Sequence, residues 1–126
     1  MESPAQLDLP HISDEVMRQS LQNLRGYAVV ILKKGPNYDP PRSDSIIWEH
    51  GRRNFALQAA RLLAIVCPNR DTTYLAGISI FDTDVAKAER IMSGDPAVQA
   101  GVLTFEVHQT QSFPGDRLPG ANASPT

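Results

Sequence analysis

Asp95-Pro96-Ala97-Val98-Gln99-Ala100-Gly101 holds a helix start and a helix stop within seven residues. An Asp before Pro offers a side-chain acceptor at the cap and a preset φ at the first helical position. Gly101 then releases the chain into the apolar run Val102 to Val107, and Leu103 to Thr110 reads as a closing strand. Just upstream, Asp82-Thr83-Asp84 supplies caps for a helix over Val85, Ala88, Ile91 and Met92 that Gly94 ends. A capped helix and a capped turn therefore deliver the chain to its last strand.

Further upstream the periodicity alternates between helix and strand. Thr73 to Phe81 alternates as a strand, Ile65 to Pro68 is short and apolar, and Asn69-Arg70-Asp71 between them is turn-like, so the pair reads as a hairpin. From Ser43 or Asp44 to Ile65, the residues Ile47, Phe55, Ala59, Leu62 and Leu63 recur at helical spacing, with Arg52, Arg53, Gln58 and Arg61 on other faces. Tyr27 to Leu32 is rich in β-branched residues and apolar on both faces, as a central strand would be. It closes at Lys33-Lys34-Gly35-Pro36. The loop from Gly35 to Asp44 carries Pro36, Pro40 and Pro41, which excludes a helix there.

Ser13-Asp14-Glu15 followed by Val16, Met17, Leu21 and Leu24 reads as a capped helix, ended by Gly26, in front of this core. The expected organisation is an irregular segment 1–12, one domain over 13–114 (helix 13–25, core 26–114) and a disordered Pro/Gly/Ala/Ser-rich tail 115–126. The core order is βαββαβ, an α+β arrangement with helices on one face of an antiparallel sheet and the other face left to be covered.

Composition narrows the function classes. A formal charge of -2 and a pI near 5.8 provide no global attraction to nucleic acid, so no nucleic-acid partner is expected. Cys67 is the single cysteine, which excludes an intramolecular disulfide and makes a reducing cytoplasm the expected setting. No apolar run reaches bilayer length, and Met1-Glu2-Ser3-Pro4 lacks a basic segment leading into an apolar one, so neither membrane insertion nor export is expected. Three scattered histidines without carboxylate or thiolate at ligand spacing make no metal motif, and no phosphate-binding glycine loop is present, so no cofactor is expected.

His50 lies two turns into the long helix, next to Gly51, whose small size leaves room at the ring. Imidazole gives or takes a proton at neutral pH, the commonest general acid or base, but taken alone the residue reads first as a surface or half-buried helical His. Asp95 reads first as a cap, and a carboxylate has acceptor capacity left for a second partner. Lys33, Lys34, Arg42, Arg52 and Arg53 offer a cationic rim suited to an anionic ligand, or a set of solvated charges. Trp48 and Tyr38 offer an apolar wall, although Trp48 suits a core or an interface as well. Cys67 reads as a small buried apolar residue, and His108 as solvent-facing or at an interface.

His50 on the first core helix, with Asp-Pro-x-x-x-x-Gly at 95–101 before the last strand, resembles the YCII-related (YciI-like) family over Gly26 to Pro114. The resemblance implies a ferredoxin-like domain that pairs as a homodimer, a dimeric α/β barrel. It also implies that His50 and Asp95 meet in a cleft as an acid/base pair. The function it implies is a small-molecule lyase or isomerase acting on an anionic organic compound, with Lys33, Arg42, Arg53 and Trp48 as substrate-binding candidates. The alternatives are a non-catalytic metabolite-binding or regulatory module of the same fold, and an accessory protein acting through its dimer surface. One departure is Cys67-Pro68, where family members commonly carry Gly-Pro.

Overall fold

The structure, a computed structural model, describes residues 7–120. The expectations for 1–12 and 115–126 thus lie partly outside the described residues. The elements in chain order are α1 (Asp14–Leu21), β1 (Arg25–Lys34), α2 (Asp44–Ala59), β2 (Leu63–Pro68), β3 (Leu75–Phe81), α3 (Val85–Ser93), α4 (Pro96–Gln99) and β4 (Leu103–Ser112). Gly26–Ser112 forms one compact unit, and the terminal segments, through Arg25 and from Phe113, form another. In the terminal unit, Ser13 caps α1 by accepting from the Val16 N–H at 3.2 Å. The helix stops at Leu21, four residues short of the sequence expectation, and no α1 residue is buried.

The larger unit is a mixed α+β fold on a four-stranded antiparallel sheet in the order β2-β3-β1-β4, so β1 is an interior strand. Side chains alternate between the sheet's faces along each strand, and cross-strand partners share a face. The pairs Ala28↔Phe81, Val30↔Ser79 and Leu32↔Gly77 therefore mark one face, and all six residues are buried. Ala88 and Met92 of α3 and Ala97 of α4 join that core. Fully burying side chains the size of Phe81, Met92 and Val30 contributes about 1.5–3 kcal/mol each. The opposite face carries Val29, Ile31, Ile65, Ile78 and Ile80, in register and only partly covered.

Two features of α2 depart from its sequence reading. The helix ends at Ala59 rather than Ile65, because Arg61 takes a left-handed φ of 62°. The Arg61 N–H donates to Gln58 O and the Leu62 N–H to Leu57 O, the paired bonds of a Schellman stop, which frees Leu63 to begin β2. The buried residues of α2 are also polar: His50 and Asn54, flanked by half-buried Ile46, Ile47 and Leu57. Phe55, read as part of the apolar stripe, is 74% exposed, and Ala59 is exposed too. The helix turns two polar side chains inward because each finds a partner there.

The segments that follow β1 and α4 meet closely. The Gly35 N–H donates to Val102 O at 2.8 Å, the Asn37 N–H to Gly101 O at 2.9 Å, and Asn37 Nδ2 to Ala100 O at 2.8 Å. Gly101 sits at φ +74°, and a Cβ on Gly35 would press into the Gly101 carbonyl, which is backbone and cannot rotate away. Replacing Gly35 by Ala is expected to destabilise the fold by about 1–3 kcal/mol, read as a lowered urea midpoint. An unchanged midpoint would mean that this approach is not constrained.

Candidate active site

Asp95 is fully buried, and its two oxygens divide the work. Oδ2 accepts from the backbone N–H of Ala97 at 3.0 Å and Val98 at 3.3 Å, capping α4. Oδ1 lies 2.8 Å from His50 Nδ1. The cap aims the carboxylate, and the long helix carries the imidazole to it. A third group closes in: Arg53 Nη1 stands 3.9 Å from Asp95 Oδ1, buried and without a hydrogen-bond partner among the described residues. Its guanidinium lies against Gly94, where a Cβ would come within 3.1 Å of Arg53 Nη2. Burial pushes the Asp95 carboxyl up, but the His50 hydrogen bond and charge, with the N–H groups of Ala97 and Val98, outweigh it. The net result is a carboxyl held below its ordinary range, ionised at neutral pH.

The other ring nitrogen, Nε2, lies 3.3 Å from Asn54 Nδ2, one turn further along α2. An ionised carboxylate only accepts and an amide NH₂ only donates, so in its neutral form the ring fits these partners with the proton on Nδ1 and the lone pair on Nε2. That tautomer is the one a general base requires.

His50 and Asn54 line a cavity of about 710 Å³. One wall is the α2 stripe of Ile47, His50, Gly51, Asn54, Phe55 and Gln58, which follows the i, i+3, i+4 spacing of a helix face. The other is the hairpin, with Val66 to Asp71 and Ala76 to Ser79, completed by Leu32, Lys34, Tyr38 and Leu103. Small side chains at Ala76, Gly77 and Ser79 and the open space beside Gly51 leave this volume unfilled. The hairpin end is charged. Lys34 Nζ donates to Thr73 O and lies 5.4 Å from the Tyr38 ring centre, Arg70 is exposed, and Asp71 accepts from Asn69 and Thr73.

Of the residues named from the sequence, His50 and Asp95 are brought together. Lys33, Arg42, Arg53 and Trp48 do not line the cavity. Lys33 pairs with Glu106 at 3.2 Å, and its neighbour Lys34 takes the cavity position. Arg42 is exposed and pairs with Asp39 at 3.7 Å. Arg53 is committed to Asp95, and Trp48, 69% exposed, falls outside the cavity-facing stripe of α2. Cys67, expected to be buried, is exposed: on the edge strand β2 it pairs in register with Ile78 on the less covered sheet face. His108 is exposed and bonds Glu106 at 3.3 Å. Lys34 and Tyr38, named from the sequence for the rim and the wall, do line it, and Asn54 and Arg70 enter as residues the sequence did not single out. For Asn54 the available signal was its i+4 spacing from His50.

Among the described residues, no group of three or more His, Cys, Asp or Glu side chains is placed to hold a metal ion. No described helix is long and apolar enough to cross a membrane. Comparison of the chain with protein-family models and with curated proteins finds no match.

Proposed function

We propose that this chain is a YciI-like protein with a ferredoxin-like core, and that it moves protons on a small anionic organic compound as a lyase or isomerase. The observation that carries this reading is the His50–Asp95 contact of 2.8 Å beside a cavity of about 710 Å³. Buried Asp95 holds Nδ1, and Nε2 meets Asn54, a residue that lines the same cavity, the arrangement of an oriented base. Lys34 and Arg70 favour an anionic substrate, and Leu32, Ile47 and Val66 an apolar body. The cavity volume falls in the range that small-molecule sites occupy.

The test is proton exchange in D₂O, followed by ¹H NMR over a panel of small carboxylates that includes hydroxy acids, unsaturated lactones and oxo acids. A panel with neither exchange nor binding would sink the proposal. The competing reading, a metabolite-binding module, draws on the Asn54 hydrogen bond that occupies Nε2 in the free protein. Binding without exchange would favour that module.

The same proposal includes a homodimer closed over the less covered sheet face. Five aliphatic residues in register, Val29, Ile31, Ile65, Ile78 and Ile80, form a surface that water disfavours. Sedimentation equilibrium is expected to give twice the 13.8 kDa chain mass, and Ile78→Lys to shift it toward the monomer. A wild-type chain that stays monomeric at micromolar concentration would contradict the dimer.

A further inference from the structure

We infer that Asn54 is a catalytic residue, the hydrogen-bond donor to a substrate carbonyl oxygen, and that the substrate class is therefore a carbonyl compound with a C–H bond on the adjacent carbon. This inference rests on the acid/base reading of His50. Nε2 and the Asn54 amide nitrogen lie 3.3 Å apart, one turn apart on α2, and both residues line the same cavity while only 9% exposed. A lone pair and an N–H donor side by side match the two atoms that change charge when such a compound is deprotonated. In the free protein each satisfies the other. An incoming carbonyl oxygen takes over the amide N–H, and that exchange uncovers the lone pair next to the substrate's C–H.

The step balances as follows. Nε2 takes the proton from carbon, and the C–H electron pair becomes the C=C bond of an enolate. The C=O π pair moves to oxygen, which accepts from Asn54. The ring, now an imidazolium, keeps its Nδ1–H on Asp95. In a β,γ-unsaturated substrate the enolate is a dienolate, and return of the proton to its γ-carbon completes an isomerisation; departure of a β-substituent with its bonding pair completes an elimination. A donor aimed at developing oxyanion charge in a water-poor pocket is worth most in the transition state, so its loss should appear in turnover. At the hairpin side, Arg70 and Lys34 suit a carboxylate on the same molecule.

Levulinate and a cyclohexanone carboxylate are the probes, since each joins a ketone to a carboxylate. Exchange of their α-protons in D₂O is expected with the wild-type chain, and to fall about 10²–10³-fold in Asn54→Ala. Asn54→Asp, which keeps the size but loses the amide donor, should fall likewise, with the circular dichroism of both variants unchanged. Undiminished exchange in Asn54→Ala overturns the inference. Absence of exchange of both probes by wild type overturns the carbonyl class. If exchange is lost in His50→Gln but kept in Asn54→Ala, the base reading stands and this inference falls. Exchange kept in His50→Gln removes the base reading itself.

Discussion

Replacing Asp95 by Ala is expected to cost about 3–5 kcal/mol of stability, because one buried side chain accepts from three groups and stands as the counter-charge to a fourth. The N–H groups of Ala97 and Val98 lose their cap, His50 Nδ1 its acceptor, and Arg53, 3.9 Å away, its counter-charge. The cap alone accounts for about 1 kcal/mol. Uncompensated polar groups in the interior supply the rest. Asp95→Asn keeps the shape and one acceptor oxygen, so its expected cost is smaller, about 1–3 kcal/mol. If that oxygen caps α4, the amide NH₂ faces Nδ1, and the ring proton must move to Nε2. There it meets the Asn54 amide nitrogen, so Asn54 has to turn as well.

The same residue shapes the acid limb of stability. Its folded-state pKa lies below the unfolded value of about 3.9, so the unfolded chain binds more protons between the two. The contribution is complete above the unfolded pKa and is lost as pH falls through the lower folded one. Urea midpoints measured from about pH 7 down to about pH 3 should therefore drop in the wild type and fall less steeply in Asp95→Asn. Parallel curves for the two proteins would separate Asp95 from the acid transition.

The second large effect is chemical. His50→Gln should lower proton exchange of any compound the wild type processes by about 10²–10⁴-fold, the usual contribution of a positioned base. The fold should survive, since a Gln amide can still donate to Asp95 and helix propensity is retained. Wild-type turnover in His50→Gln would remove His50 from the mechanism.

The parts of the fold that were legible in the sequence have a local physical cause. Ser13, Asp84 and Asp95-Pro96 act as caps through contacts within four residues, and each begins a helix where the spacing places it. Tyr27 to Leu32 reads as an interior strand because both of its faces are apolar, and β1 extends it at both ends through residues that carry no strand signal. The stop of α2 was hidden, since its left-handed residue is Arg61 where Gly is usual. The orientation of α2 was hidden for a different reason. Hydrophobic periodicity ranks Phe55 above His50 and Asn54, and only the long-range partner Asp95 makes the polar face the inner one.

The site divides in the same way. His50 and Asp95 carry unusual side-chain chemistry, so residue type and the family resemblance could single them out before their contact was visible. The cationic lining could not be found from charge alone. Lys33 and Lys34 are equivalent as residues, and only the strand's geometry sends one to Glu106 and the other to the cavity. Arg53, chosen for a ligand, serves Asp95, while Arg70 reaches the cavity because the hairpin turn carries it there.

The most direct measurement is a long-range ¹H–¹⁵N NMR spectrum of the His50 ring in the free wild-type chain at neutral pH, with Asp95→Asn alongside. The expected result is a proton on Nδ1 protected from solvent exchange, an unprotonated Nε2, and a reversed pattern in Asp95→Asn. A proton on Nε2 in the wild type, or a ring indifferent to the change at residue 95, would contradict the His50–Asp95 pair as the centre of this molecule's chemistry.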